Sequence, residues 1–122
     1  MPDGTILVVD DEAAVREVLR ETLEFEGYST ADASNGREAL EWLKNNPPPC
    51  LVLLDLMMPV MNGFDFLEAV QKDPALRSVS ILIVSATTRE KLEETARRTG
   101  AVGVLSKPLQ LAALLEAVAQ HC

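Results

Sequence analysis

Four short apolar runs in this chain each end in polar residues that can take part in phosphate chemistry. In chain order, the runs and the residues that follow them are 6–9 with Asp10 and Asp11, 51–54 with Asp55, 81–84 with Ser85, and 102–105 with Ser106 and Lys107. Together these types could form a cation site beside a carboxylate nucleophile, with a hydroxyl and an ammonium group to hold phosphoryl oxygens.

The apolar runs predict where these polar side chains lie. Short runs rich in branched residues are typical of strands that are buried on both faces of a parallel sheet. Strand-like and helix-like patterns alternate along the whole chain, as in repeated βαβ units. Ligands of such sheets bind outside the carboxyl ends of the strands. The sequence therefore predicts that three carboxylates, one hydroxyl and one ammonium group meet at one edge of the sheet.

The predicted elements are five strands and five helices in alternation. The predicted strands are 5–10, 28–33, 50–55, 79–84 and 102–105. The predicted helices are 12–26, 35–46, a stretch containing Phe64, Leu67 and Val70, a stretch that opens at Thr87 and ends at Gly100, and a stretch between Pro108 and the C-terminus. The second strand alternates apolar and polar residues, which favours a half-exposed edge position.

The fourth predicted helix has a thin apolar face of Leu92 and Ala96, so we expect it to be the least firmly docked. It opens with a capping-box spacing from Thr87 to Glu90. Two ion pairs at i,i+4 spacing are predicted on its surface, Glu93–Arg97 and Glu94–Arg98. The last helix, in contrast, has a wide apolar stripe, part of which could face a partner.

The composition indicates one ordinary globular domain. The chain has 122 residues and a formal net charge of −8 at pH 7, which argues against direct binding to nucleic acid. Residues 1–4 have no signal-peptide character and no apolar stretch approaches membrane-spanning length, so we expect a cytoplasmic protein without membrane contact. Cys50 and Cys122 form no metal or redox motif, and we expect free thiols in a reducing cytosol. We assign no chemistry to the isolated His121.

Four motifs occur in order along the chain, each closing a strand: Val9-Asp10-Asp11-Glu12, Asp55-Leu56-Met57-Met58-Pro59 with Met61-Asn62-Gly63, Val84-Ser85-Ala86, and Lys107-Pro108. With these motifs the chain resembles the receiver domain of two-component response regulators. The resemblance covers nearly the whole sequence. It implies a single receiver domain over residues 1–122, of the α/β class, with a flavodoxin-like (βα)5 sandwich and a five-stranded parallel sheet in the order 2-1-3-4-5.

The resemblance also implies a role for each site residue. Asp55 would be the phosphoacceptor. The ligands of Mg2+ would be Asp11 and Asp55 directly, Asp10 largely through water, and the backbone carbonyl of Met57. Lys107 would pair with Asp55 at rest and with a phosphoryl oxygen afterwards, while the Ser85 hydroxyl would donate to another. We expect the Lys107–Pro108 peptide to be cis, as in the family. Apart from the resemblance, three converging carboxylates repel one another, so at least one pKa should rise when no cation is bound.

The family pattern breaks at Val104, where receivers usually carry a switch aromatic. We therefore expect the response to phosphorylation in the loop and helix of residues 85–98. The implied phosphoryl donor is a histidine kinase or a His-containing phosphotransfer protein, and the chain would catalyse only its own phosphorylation and dephosphorylation. An output domain or effector at the last two helices, and a phosphorylation-dependent homodimer, are left open.

Three other functions fit the predicted architecture less well. A flavin-binding carrier needs a hydroxyl- and glycine-rich phosphate loop after the first strand, where this chain has acids. A phosphatase with an aspartyl nucleophile usually has a second acid two residues later, where this chain has Met57. A receiver-like domain that serves only as a docking surface would not need the full set of polar residues.

Overall fold

The computed structural model describes residues 4–86 and 88–122, and within these ranges five strands alternate with five helices. The strands are β1 (Thr5–Val9), β2 (Ser29–Ala33), β3 (Leu51–Leu54), β4 (Ile81–Ser85) and β5 (Gly103–Ser106). The helices are α1 (Ala13–Phe25), α2 (Gly36–Asn45), α3 (Gly63–Lys72), α4 (Arg89–Thr99) and α5 (Leu111–His121). The predicted elements are all present, and their ends differ from the predicted bounds by one or two residues.

The strands form a parallel sheet in the order β2-β1-β3-β4-β5, which confirms the predicted α/β fold. Their register aligns the strand ends that matter for chemistry. Val9, the last residue of β1, lies between Ala33 and Leu54, and Ser85 at the end of β4 is opposite Ser106. The residues that follow β1, β3, β4 and β5 therefore emerge at the same edge of the sheet.

Apolar side chains cover both faces of the sheet. Alternate strand residues point to opposite faces, and both sets are buried throughout β3 and, from Ile6 onward, in β1. One face packs on α2, α3 and α4 through residues such as Phe66, Leu67 and Leu92. The other packs on α1 and α5 through residues such as Leu23 and Leu114. This burial on both faces explains why the strands are continuous apolar runs. In the described ranges, none of the helices has both the length and the apolar character needed to cross a membrane.

The second strand occupies an edge of the sheet, as its alternating pattern predicts. Its exposed residues are Ser29 and Asp32, whereas Ala33 is buried. The edge position follows from the strand order, in which β2 pairs only with β1 among the described strands. Asp32 is thus an accessible carboxylate on the first edge of the sheet.

Helix α4 differs in detail from the prediction. Besides Leu92 it buries Thr95, whose hydroxyl donates to the Lys91 carbonyl at 2.9 Å, so the helix hides a polar residue that apolar periodicity could not reveal. The N-cap is Thr88, which accepts from the Lys91 amide, and Thr87 lies outside the described residues. Glu93 pairs with Arg89 rather than with Arg97.

The expectation of free thiols is wrong, because Cys50 and Cys122 form a disulfide. Their Cα atoms are 5.3 Å apart although 72 positions separate them in sequence. Cys50 lies directly before β3, and its amide donates to the Thr5 carbonyl. Cys122 ends the last turn of α5, with its amide bonded to the Val118 carbonyl. Only the packing of α5 against the sheet brings the two cysteines together, so their spacing gave no signal.

Reduction of this disulfide is expected to lower the free energy of unfolding by about 4 kcal/mol, because it releases a long loop in the unfolded chain. Urea unfolding with and without a thiol reductant measures the effect. The matched control is the Cys50→Ser, Cys122→Ser double variant, which should unfold at the midpoint of the reduced protein and ignore the reductant. An unchanged midpoint of the wild-type protein on reduction would contradict the expectation.

Candidate functional site

The structure brings the predicted acidic residues together at the carboxyl edge of the sheet. Asp10 and Asp11 follow β1, and Asp55 follows β3. One carboxylate oxygen from each lies within 4.8 Å of the others. Asp10 and Asp55 are buried, whereas Asp11 is exposed. Such a group of oxygen ligands, open on one side, is suited to a hard divalent cation that keeps part of its hydration shell.

Lys107 connects two of these acids. Its Nζ lies 2.9 Å from Oδ2 of Asp10 and 3.3 Å from Oδ2 of Asp55. The expectation paired Lys107 with Asp55 alone, but the shorter contact is to Asp10. The Lys107–Pro108 peptide is cis, as expected, and the Lys107 amide donates to the Ser85 carbonyl at 2.9 Å. Lys107 is therefore held to β4 by its backbone while its side chain spans the acidic cluster.

The two acids and the burial act in opposite directions on the pKa of Lys107. Burial alone would lower this pKa, because it disfavours the charged ammonium group. The hydrogen bond to Asp10 and the charges of Asp55 and Asp10 outweigh burial and hold the pKa above its ordinary value. Lys107 is thus a permanent cation in the site at neutral pH.

The environment of Asp55 disfavours the ionised form of its carboxylate. It is 6% exposed, and this burial is the largest influence and raises its pKa. The Met57 amide, which donates to Oδ1 at 3.1 Å, and the Lys107 charge lower the pKa, and the Asp10 charge raises it. The net result is a pKa above the ordinary value. The predicted rise in a carboxylate pKa is therefore present, but burial rather than repulsion among the acids is its largest cause.

Asp10 has both carboxylate oxygens occupied. Oδ1 accepts from the Glu12 amide at 2.9 Å, and Oδ2 accepts from Lys107. Its side chain thus also shapes the turn into α1, because an Asp that bonds the amide two residues later forms a local turn. The exposed Asp11 and the buried Asp10 are therefore adjacent in sequence but have different environments.

Ser85 supplies a hydroxyl whose hydrogen-bonding capacity is not used. The residue is fully buried, and its Oγ has no hydrogen-bond partner among the residues that the structure describes. A buried hydroxyl without a partner costs folding free energy. Ser85 is the last residue of β4 and lies opposite Ser106 of β5, the strand that leads to Lys107.

Comparison with known sequences decides the family. A sequence model described as "Response regulator receiver domain" matches residues 6–119. The chain belongs to this family. It is 36% identical over 115 residues to the chemotaxis protein CheY of Thermotoga maritima, covering 93% of this chain and 92% of that protein. The family assignment confirms the resemblance on which the predicted fold and signalling class rest.

Two further comparisons place the receiver among longer proteins and solved structures. It is 36% identical over 115 residues to the transcriptional regulatory protein SphR of Synechococcus elongatus, covering 88% of this chain but only 44% of that protein. The structure of the Vibrio cholerae chemotaxis protein CheY4 superposes with a TM-score of 0.89 at 30% identity, covering 99% of this chain and 100% of the other. Receivers of this type thus occur both alone and within a larger regulator.

In this receiver, one glycine allows the loop after Asp55 to pack closely. A Cβ atom on Gly63 would lie 2.6 Å from the Leu56 Cα and 2.7 Å from the Asp55 carbonyl oxygen. These are backbone atoms that cannot move aside without displacing Asp55. Asn62 caps α3 by accepting from the Asp65 amide at 2.9 Å. The close approach of Gly63 to the backbone of Asp55 and Leu56 is visible only in the structure.

Val104 lies on β5, where the sequence of this receiver lacks the usual aromatic. It is half-buried and packs against the core on the α2–α4 face. Beside it, a surface groove of about 310 Å³ runs between α4 and β5, with Glu93, Ala96 and Arg97 on the helix side. The side of α4 that faces β5 is thus incompletely filled.

Asp55→Asn is expected to stabilise the receiver at neutral pH in the absence of divalent cations. Because the folded-state pKa of Asp55 is raised, the native state takes up the proton more readily than the unfolded chain, and this contribution to stability is lost as the pH rises through the folded pKa. At neutral pH the buried charge therefore costs stability, and a neutral amide removes that cost.

Urea unfolding across a pH series measures the difference, which should shrink as the pH falls and Asp55 becomes protonated. The exposed Glu21 provides the control, since Glu21→Gln should show no comparable effect. A variant less stable than the wild type at neutral pH would contradict the expectation.

Proposed function

We propose that this chain is a phosphoacceptor module, a single receiver domain over residues 1–122 that takes a phosphoryl group onto Asp55. The observation that carries the proposal is the buried Asp55 carboxylate, held beside Lys107 and two further acids. Phosphoryl transfer asks the protein mainly to position groups and to stabilise charge. An Asp55 oxygen would form the new P–O bond while the P–N bond to a donor imidazole breaks.

The acidic cluster fits Mg2+ by its ligand chemistry. Asp11 and Asp55 are the proposed direct ligands, with the Met57 carbonyl, and Asp10 is proposed to act largely through water. Support for the indirect role of Asp10 comes from its oxygens, which already accept from Glu12 and Lys107. When bound, Mg2+ would neutralise the acids and bind a phosphoryl oxygen.

The cation and the hydroxyl of the site are proposed to hold the other phosphoryl oxygens. Lys107 already lies within 3.3 Å of the oxygen of Asp55 that could carry the new group. Its compact ammonium group can keep Asp10 as a partner and contact a phosphoryl oxygen as well. The unsatisfied Ser85 hydroxyl would gain an acceptor only when such an oxygen arrives. Phosphorylation would therefore give the buried hydroxyl its missing hydrogen bond.

The proposed response lies in residues 85–98. A shift of Ser85 towards the phosphoryl group would pull on the loop into α4. This helix is attached to the core by Leu92, Thr95 and Ala96, and the groove beside Val104 leaves space next to it. Val104 itself is β-branched, so its side chain has little rotamer freedom with which to respond.

The partners follow from the proposed chemistry. A histidine kinase or a His phosphotransfer protein is the proposed donor, and the chain is proposed to catalyse only its own phosphorylation and dephosphorylation. An output domain or effector would contact α4 and α5, and a phosphorylation-dependent homodimer is a further proposed assembly. The proposed cytoplasmic location rests on the family. The disulfide does not support it, because disulfides are rare in a reducing compartment.

Incubation with a small acyl phosphate and Mg2+ is expected to add one phosphoryl group to the intact protein, and peptide mapping is expected to place it on Asp55. Asp55→Ala should lose the modification, because no nucleophile remains. Asp11→Asn should slow it at least tenfold, as expected for loss of a metal ligand. Glu21→Gln serves as the matched exposed control. A phosphoryl group on a serine or on His121 would contradict the proposal.

A beryllofluoride mimic of the phosphoryl group is expected to change amide hydrogen exchange in residues 85–98 more than in β5. The reason is that α4 buries little apolar area against the core, so a shift of this helix costs little free energy. Val104→Ala should retain most of the change. Loss of the response in that variant, or unaffected exchange in residues 85–98, would refute this description of the switch.

A further inference from the structure

We infer that Arg16 is a positioning residue for the acid pair of the proposed metal site. Its guanidinium NH1 donates to the carbonyl oxygen of Asp10 at 2.7 Å. Its Nε donates to Oδ2 of Asp32 at 3.1 Å, and the side chain is 17% exposed. The inference deepens the proposed function and rests on it, because it concerns how Asp10 and Asp11 are presented to the cation.

The Asp10 carbonyl lies just past the end of β1. The Asp10 amide still donates to the Ala33 carbonyl of β2 at 3.2 Å, but the carbonyl pairs with the Arg16 guanidinium. Because the peptide group is planar, the direction of this carbonyl fixes the amide and the Cα position of Asp11. Arg16 thus determines the direction in which the exposed member of the acid pair leaves the strand.

Arg16 is itself held on both sides. Its backbone lies in the first turns of α1, and its amide donates to the Glu12 carbonyl. At the sheet edge, Asp32 accepts from Arg16 and also lies 3.6 Å from the guanidinium of Arg20. The planar guanidinium presents its donors in a fixed arrangement, so it can join α1, β2 and the end of β1 in one geometry.

Arg20 provides a matched comparison. It shares the partner Asp32 and the helix α1, and it contacts Thr30 and Glu24. Its contacts do not extend to Asp10 in the part of the chain that the structure describes. Loss of Arg20 therefore removes a similar amount of charge and surface pairing but leaves the Asp10 carbonyl bonded.

A positioning role and a pure charge effect predict opposite changes in metal affinity. A guanidinium near the site repels a divalent cation, so its removal would tighten Mg2+ binding if charge were all that mattered. Loss of a contact that orients metal ligands weakens binding, typically by ten- to a hundredfold. We therefore expect Arg16→Ala to weaken Mg2+ binding by about tenfold.

Isothermal titration calorimetry with Mg2+ at fixed ionic strength tests the inference on the wild type, Arg16→Ala, Arg16→Lys and Arg20→Ala. Arg20→Ala should bind as the wild type does. Arg16→Lys keeps the charge but not the planar arrangement of donors, so it should bind at least about threefold more weakly than the wild type. Equal or tighter binding by a folded Arg16→Ala would overturn the inference.

If Arg16→Ala proves unfolded by circular dichroism, the lysine variant decides, and wild-type affinity in Arg16→Lys overturns the inference. Asp11→Asn in the same titration separates this inference from the proposed function. Unchanged Mg2+ affinity in Asp11→Asn would remove the proposed metal site itself. If Asp11→Asn lost Mg2+ binding while Arg16→Ala bound Mg2+ as the wild type does, only the role of Arg16 would be refuted.

Discussion

The gathering of the three carboxylates Asp10, Asp11 and Asp55 at one edge of the sheet is the constraint on which the rest of the site depends. The fold places these acids within reach of one another, and burial makes the charge on Asp55 harder to sustain. Lys107 contacts Asp10 and Asp55 and offsets part of their negative charge. The acids are suited to a cation, and Lys107 together with that cation would offset the charge of a phosphoryl group.

The strands that carry the acids are tightly packed, whereas α4, where a response is proposed, is less closely packed against its neighbours. β1 and β3 are buried on both faces and lie side by side at the centre of the sheet, so the backbone before Asp10 and Asp55 has little freedom. Gly63 lets α3 approach the backbone of Asp55 more closely than any side chain would permit. By contrast, α4 buries one leucine and one threonine beside an open groove.

The sequence predicted correctly those features that follow from a local pattern of apolar and polar residues. Continuous apolar runs predicted strands buried on both faces, and because parallel strands end at a common edge, the meeting of Asp10, Asp55 and Lys107 followed. Patterns of this kind carry no information on contacts between side chains that are distant in sequence. The Cys50–Cys122 bond and the Arg16–Asp32 pair depend on how helices pack on the sheet, and spacing alone did not indicate either. Thr95 was missed for a related reason, since its hydroxyl is satisfied within its own helix.

The disulfide divides the chain into two parts of unequal freedom. Residues 50–122 form a covalent ring, and this ring contains Asp55, Ser85 and Lys107. The acid pair at Asp10 and Asp11 lies outside it. In an opened or partly folded molecule, the ring keeps the three groups proposed to hold the phosphoryl group within a confined volume, because closing a loop removes extended conformations. No covalent link does the same for the acid pair in the described chain. Because Asp10 and Asp11 lie outside the ring, the acidic cluster is complete only when β1 is paired with β2 and β3.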